Sequence, residues 1–365
     1  MYQVRCGDKR LSTACLSLPR YNRQVAIPTP NGAFIVDTHL DLAWHCQEHG
    51  RDIVDASNCP DPVMVTLPWL QQAGVRLICA TLFTMRGRPE GERRYKLHSQ
   101  YEMYQQWFSR YPAELIPVHN QRDLARLAAY DMVEVEGRRA YPIGVILLME
   151  GLDLLKSPAE LQTWFERGVR VASLTWYGAN IFASGDFGDN RGLKPLGHVM
   201  LSEYERLGMI FDVSHLNDAG FQDVVSAYQG PLCASHSNAR SIANHQRNLT
   251  DQQAMAIAQR SGVIGINLLA TLVQTGWRRG DPQPPLAAAG AHVAYLSQLL
   301  GAAHVGLGSD LDGGLTPANT PKGIDRYDQV QLLAEDLRGR GWAENDVAGF
   351  LGGNWWRFFS MHLPP

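Results

Sequence analysis

The chain has 365 residues, 45% of them hydrophobic and 19% charged, with a formal net charge of −3. This is a globular composition with ample material for a core, and the absence of a basic stripe or Lys/Arg run gives nucleic-acid binding no support. No window approaches the ~20 apolar residues of a membrane span.

Residues 1–33 read as an irregular N-terminal leader, and residues 34–365 as one domain. Pro19, Arg20, Asn22 and Arg23 interrupt any apolar run of signal-peptide length, so the expectation is a cytoplasmic protein without a membrane anchor. The six cysteines (Cys6, Cys15, Cys46, Cys59, Cys79 and Cys233) show no CxxC pair and read as scattered thiols.

Residues 34–37 form a short apolar strand that closes on Thr38-His39-Leu40-Asp41. Side chains alternate along a strand, so His39 and Asp41 share a side and suit one metal ion. A His-x-Asp triplet alone is common by chance. His45 and His49 fall beyond the strand and read as surface residues. Residues 75–83 form a second strand. Residues 97–111 form a helix whose Tyr101, Tyr104, Trp107 and Phe108 recur at helical spacing, the pattern of a packing face. Residues 141–149 form a third strand ending on Glu150. A carboxylate directly after an apolar run is costly to bury unpaired, so Glu150 belongs at a strand mouth, in an ion pair or on a metal. A helix at 161–167, a fourth strand at 169–175 ending on Trp176, and a glycine-rich loop at 183–197 follow.

After a helix at 201–207, strands five (209–213) and six (231–234) each end in Ser-His, at Ser214-His215 and Ser235-His236. Either histidine alone reads equally well as a capping or core residue. Together, one crossover apart, they aim two imidazoles at one point. Thr250-Asp251 caps a helix to residue 260, residues 263–267 form strand seven, 292–300 a helix, and 304–307 strand eight, which leads into Asp310 and Asp312. Asp312, in a glycine turn, reads as a turn former. Two amphipathic helices and a short tail complete the chain.

Eight mostly continuous apolar strands separated by helices predict a single (β/α)8 barrel, a TIM-like α/β fold whose parallel strands are covered on both faces. Chemistry in such barrels sits at the carboxyl ends of the strands, where His39, Asp41, Glu150, His215, His236 and Asp310 all fall. This donor set exceeds what one four-coordinate zinc needs. It suits two ions, His39 and Asp41 on one, His215 and His236 on the other, and Glu150 bridging. Nitrogen and oxygen donors without thiolate suit Zn2+, with Mn2+, Co2+ or Fe2+ as alternatives. Such a pair lowers the pKa of a bridging water from ~15.7 toward neutrality, and Asp310 is the carboxylate placed to move the proton.

These residues sit in a longer pattern: VDTHLDL at 36–42, LMEG at 148–151, IFDVSHLNDAGFQDV at 210–224, PLCASHSNARSIANHQRNLTDQQ at 231–253, SGVIGIN at 261–267, HVGLGSDLDGG at 304–314 and LGGNWWRFF at 351–359. In this the chain resembles, from about residue 34 to its end, the membrane (renal-type) dipeptidase family of zinc metallopeptidases, within the amidohydrolase-like barrels. The resemblance implies a binuclear zinc site on the same five residues, with Asp310 handling the proton. It also implies that Arg247 binds the substrate's terminal carboxylate, for which its planar fork is suited, and that the protein pairs as a homodimer. The implied activity is zinc-dependent hydrolysis of small dipeptides with a free C-terminal carboxylate, through a metal-bridging hydroxide. The pattern departs from the family at Leu40, where asparagine is common, and at Trp176, where the family's strand-four motif carries a histidine that holds substrate and the developing oxyanion. An indole donates one hydrogen bond and accepts none. His198 or Tyr177 could substitute. The alternative expectation is therefore a shifted amide or peptide-like metabolite as substrate, or a non-catalytic metal-binding homologue.

Overall fold

The computed structural model describes residues 34–365 apart from 58, 60, 61, 136 and 188, so the expected leader, with Cys6 and Cys15, lies outside the described residues. Eight parallel strands form the barrel. We label them β1 (Ile35–Leu40), β2 (Val75–Leu82), β3 (Ile143–Met149), β4 (Val169–Ala172), β5 (Ile210–Asp212), β6 (Leu232–Cys233), β7 (Ile264–Ile266) and β8 (Val305–Leu307). Their order is β7-β8-β1-β2-β3-β4-β5-β6. A single parallel bridge, Ala234 to Ile264, joins β6 back to β7, with Ala234 N–H donating to Val263 O (3.1 Å) and Gly265 N–H to Ala234 O (2.8 Å). The expected barrel is thus the observed one, and each expected strand overlaps an observed one.

The period of two along a strand decides which side chains reach the axis. Leu77 and Cys79 on β2, Ile146 and Leu148 on β3, Val171 on β4, Ile210 on β5 and Cys233 on β6 share one buried cluster with Val36. Trp355, Trp356, Phe358 and Phe359 of the C-terminal helix Asn354–His362 belong to the same cluster and plug the end of the barrel away from the carboxyl ends. One step further along the same rows stand Thr81, Glu150, Asp212 and Ser235. The apolar run therefore changes to polar chemistry as it reaches the mouth.

Several local expectations need correction. His45 is buried (4% exposed) rather than on the surface, because helix Leu42–His49 starts directly after β1 and turns it inward, where its Nδ1 accepts from Arg51 Nε–H (2.9 Å). His49 is half-buried. Asp312 is more than a turn former: it is buried, and its Oδ1 accepts the Asp41 N–H (2.7 Å). After residue 331 there are three helices, not two, the last two joined by a π-type turn at Gly349–Gly353 that no proline or charge announces. The helix expected at 97–111 begins earlier, at Glu90. Strand Leu115–Pro117 beside β3 and hairpin Val133–Ala140 were not anticipated. Cys46, Cys59, Cys79 and Cys233 are free thiols. Among the described residues no helix is long and apolar enough to cross a membrane.

His292, at the centre of helix Leu286–Leu300, is fixed as a neutral ring: Nδ1 accepts from Ala239 N–H (3.2 Å) and Nε2–H donates to Val273 O (3.0 Å). Burial pushes its pKa down to about 4 from an ordinary 6.5. The folded value lies below the unfolded one, so the stability it contributes is complete above pH 6.5 and declines as the pH falls toward 4. Unfolding free energies of wild type and His292→Gln from urea titrations should therefore converge over that range, by up to about 3 kcal/mol of the wild type's advantage. Parallel curves would refute this.

Candidate metal centre and substrate pocket

Three imidazoles converge on one carboxylate oxygen. Glu150 Oε1 lies 3.4 Å from His39 Nε2, 3.0 Å from His215 Nε2 and 3.4 Å from His236 Nε2. The Nε2 atoms of His215 and His236 are 3.0 Å apart. Glu150, His215 and His236 bring ligand atoms within 4.8 Å of one another, as do His39, Asp41 and Asp310. The structure thus gathers all five expected ligands and Asp310 at one mouth; His39, Asp212 and His236 come within the same distance of one another, so the groups overlap.

His39 Nε2 is buried without a hydrogen-bond partner, and three carboxylates share the space, Asp41 and Glu150 buried and Asp310 half-buried. Burial opposes a charged His39, but Glu150, Asp41 and Asp310 outweigh it and hold its pKa up to about 10. Burial, then the neighbouring Glu150, pushes Asp41 well up. Burial likewise raises Asp310 to about 6, against the pull of His39. An orphan imidazole nitrogen among crowded anions is the donor chemistry that a divalent cation satisfies, so these residues fit a metal.

The tautomers follow from a proton count. Ser235 Oγ lies 2.5 Å from Asp212 Oδ2, 2.7 Å from His236 Nδ1 and 3.1 Å from His39 Nδ1. A hydroxyl has one hydrogen, and the carboxylate can only accept. With that hydrogen on Asp212, both imidazoles must donate Nδ1–H to Ser235, so that once each ring is neutral, as metal ligation requires, both Nε2 lone pairs face Glu150. The Ser235 carbonyl is equally confined. Thr38 Oγ1–H donates to it (2.7 Å), and a Cβ on Gly265 or Gly308 would come within 2.0 or 1.8 Å of it. Outer partners of this kind are typically worth ~10–100-fold in metal affinity. Ser235→Ala should weaken chelator-competed metal binding by that order; unchanged affinity would remove Ser235 from the orienting role.

Asp310 is held by Asn267 Nδ2–H on Oδ2 (2.9 Å). It and His215 are two of the three described non-glycine residues with positive φ (61° and 65°), a conformation that persists where the surroundings impose it. His215 Nδ1 faces Asp186 Oδ2 at 3.3 Å, and the same oxygen is 3.7 Å from Arg247 Nε. Arg247 is buried, with Nη1–H donating to Ser237 Oγ (2.7 Å) and Nη2–H to His236 O (2.8 Å).

Asp186, Ser235 and Asp212 had no sequence signal as site residues. Asp186 sits in the glycine-rich loop, where residues 176–187 fold into a small flap. Gly185 N–H donates to Gly178 O and Phe187 N–H to Tyr177 O (both 3.2 Å), and Asp186 N–H donates to His215 O (3.0 Å). Arg86 grips the flap through the carbonyls of Gly178 and Ala179 (3.0 Å each).

Asp41, Glu150, His215, His236 and Asp310 floor a cavity of about 300 Å3, lined also by Trp44, Phe83, Trp176, Tyr177, His245 and Arg247. Trp176 is therefore in the pocket, as is Tyr177. His198 is exposed on helix Pro195–Leu207 and does not line it. His245 was not anticipated. Its Nδ1 accepts the Arg247 N–H (3.1 Å), and burial, then the Arg247 charge, lowers its pKa, so a neutral ring carries its proton on Nε2.

Comparison with known proteins identifies the family and the fold. "Dipeptidase aclJ" of Aspergillus oryzae is 30% identical over 259 residues, 70% of this chain and 58% of the relative. An uncharacterized protein in the pqqA 5' region of Klebsiella pneumoniae is 34% identical over 205 residues, 54% of this chain and 74% of that one. The chain thus spans less than two thirds of the first relative's length. A metallopeptidase structure from Rhodobacter sphaeroides, liganded with a phosphinate mimic of the dipeptide L-Ala-D-Ala, superimposes with a TM-score of 0.78 at 21% identity, covering 91% of this chain and 99% of that one; at that identity it speaks to the fold. The model of the membrane dipeptidase family, peptidase family M19, matches residues 30–362. With its barrel, its converging ligands and this match over nearly the whole described chain, the protein belongs to the membrane dipeptidase family.

Proposed function

We propose that the protein is a metal-dependent dipeptidase that hydrolyses small dipeptides with a free C-terminal carboxylate. The observation that carries the reading is the convergence of three imidazoles on Glu150 Oε1, with Arg247 on the wall of the same cavity. The dipeptide mimic in the Rhodobacter metallopeptidase supports it. His39 and Asp41 would hold one Zn2+, His215 and His236 a second, with Glu150 between them. Bound there, the ions would polarise the scissile carbonyl and lower the pKa of water.

The chain's own groups do the rest. Each Nη of Arg247 keeps a second hydrogen beyond those given to Ser237 and His236, which leaves a fork for the substrate carboxylate. Asp186 steers both Arg247 and His215. Asp310, with a pKa near 6, is matched to taking a proton from the nucleophile and returning it to the leaving amine near neutral pH. Trp176 supplies one indole N–H and an apolar face, and His245 a neutral N–H donor.

Zinc-loaded protein is expected to hydrolyse L,L- or L,D-dipeptides and to lose that activity on chelation. Arg247→Ala should raise KM for free dipeptides by roughly 10-fold or more, the worth of a charge-assisted hydrogen bond, and leave C-terminally amidated substrates unaffected. Equal effects on both would remove the clamp. Metal-replete protein inert toward a broad panel would overturn the dipeptidase reading.

A further inference from the structure

The cavity has an aromatic wall centred on Phe83, which follows the strand across the barrel from the one before Arg247, with Trp44 and Trp176 flanking it. Trp44 and Phe83 stand edge to face with ring centroids 5.7 Å apart, and Phe83 and Trp176 likewise at 4.8 Å. Trp44 and Phe83 are buried and Trp176 is half-buried, and all three line the cavity. Trp176 reaches to 6.3 Å from the His215 ring, so this wall meets the metal-ligand cluster directly. Its rings follow β1, β2 and β4.

Topology fixes how a dipeptide would cross this space. Arg247 follows β6, and β6 and β2 are four strands apart in a ring of eight, which places them across the barrel from one another. A substrate with its carboxylate on Arg247 and its amide over Glu150 must send its amino-terminal residue toward β2. The Arg247 side is different in character. His245, Asp186 and Arg247 are polar or charged, Leu269 and Leu272 are aliphatic, and the aromatic pair at its edge, Phe187 stacked on Tyr177 at 4.3 Å, is exposed, each ring at 47%.

We propose that Trp44, Phe83 and Trp176 form a subsite for a large apolar, preferably aromatic, side chain on the amino-terminal residue of the substrate. Offset and edge-to-face packing favours an aromatic occupant beyond the area that it buries. Apolar pockets discriminate by ~10–200-fold per methylene-sized change, so a whole benzyl group leaves room for a large preference. The inference rests on the dipeptidase reading for the placement of the carboxylate and the amide.

The test compares two isomers of one composition, Phe-Gly and Gly-Phe, with zinc-loaded full-length protein. We expect kcat/KM for Phe-Gly to exceed that for Gly-Phe by ~10-fold or more. The ratio should fall toward one in Trp176→Ala and in the milder Phe83→Leu, which keeps the buried volume apolar. A wild-type ratio at or below one overturns the subsite, whatever the variants do. If neither isomer is cleaved, the dipeptidase reading fails on that observation. The subsite is then read from the ratio of the two dissociation constants by calorimetry, with the same threshold: tenfold tighter Phe-Gly supports it, and equal binding overturns it.

Discussion

Glu150→Gln is expected to strip the protein of metal and, with it, of turnover. Glutamine keeps the volume of the side chain, so the packing at the end of β3 should survive. What it removes is the anion at the meeting point of three imidazole nitrogens, all within 3.4 Å of one oxygen. Burial alone would raise the Glu150 pKa, but His39 and His215 outweigh it and hold the carboxyl well below its usual range; it is ionised and available as a ligand. Because this oxygen faces ligands of both proposed ions, its loss should reach both. We expect kcat/KM to fall by more than ~10³, corresponding to the several kcal/mol that metal catalysis supplies. Metal analysis of the purified variant should show a deficit, with near-UV dichroism unchanged. A variant with full metal content and wild-type turnover would sink the mechanism.

Asp310→Asn should separate proton handling from metal holding. Asp310 is close enough to His39 and Asp41 to be read as a third ligand of their group. Its carboxylate also takes the Asn267 N–H, and its acid is raised to about 6, chiefly by burial. If its task is to move a proton, the amide should lower kcat by ~10²–10⁴, the usual worth of a general acid–base group, with metal content retained. If metal is lost in step with activity, Asp310 is a ligand instead. KM should change little in the first case, because the clamp on the substrate carboxylate is Arg247, which follows a different strand.

The parts of this protein legible in its sequence are those with short-range signatures. Continuous apolar runs gave away the buried parallel strands. Polar residues at or just beyond the ends of those runs marked Glu150, His215, His236 and Asp310 as candidates, since a polar or charged group there is costly unless it is used. The rest depends on contacts between distant segments. Ser235 looks like any small residue before a histidine until β1 and β5 bring His39 and Asp212 to its hydroxyl. Asp186 looks like one more acidic residue in a glycine-rich loop until that loop folds back on His215. His45 passes for a surface residue because its neighbours Gln47 and Glu48 are polar, and only the tight turn from β1 into helix Leu42–His49 shows which way it points. Arg247 carries no local sign of its burial, which comes with contacts to His236 and Ser237, eleven and ten residues earlier, and to Asp186.

The flap at residues 176–187 bears on how the protein can change. Barrel enzymes commonly acquire new preferences by exchanging whole loops between strands and helices. Here that route is obstructed, because adjacent positions of one loop do unlike jobs. Phe187 stands at the entrance to the pocket, while Asp186 beside it keeps His215 and Arg247 aligned. Lengthening or replacing the loop to admit a different molecule would misdirect an imidazole at the metal centre at the same stroke. Divergence is therefore channelled into single exchanges at positions such as 176, 177 and 187, each reversible and each leaving the backbone of the flap where Arg86 holds it.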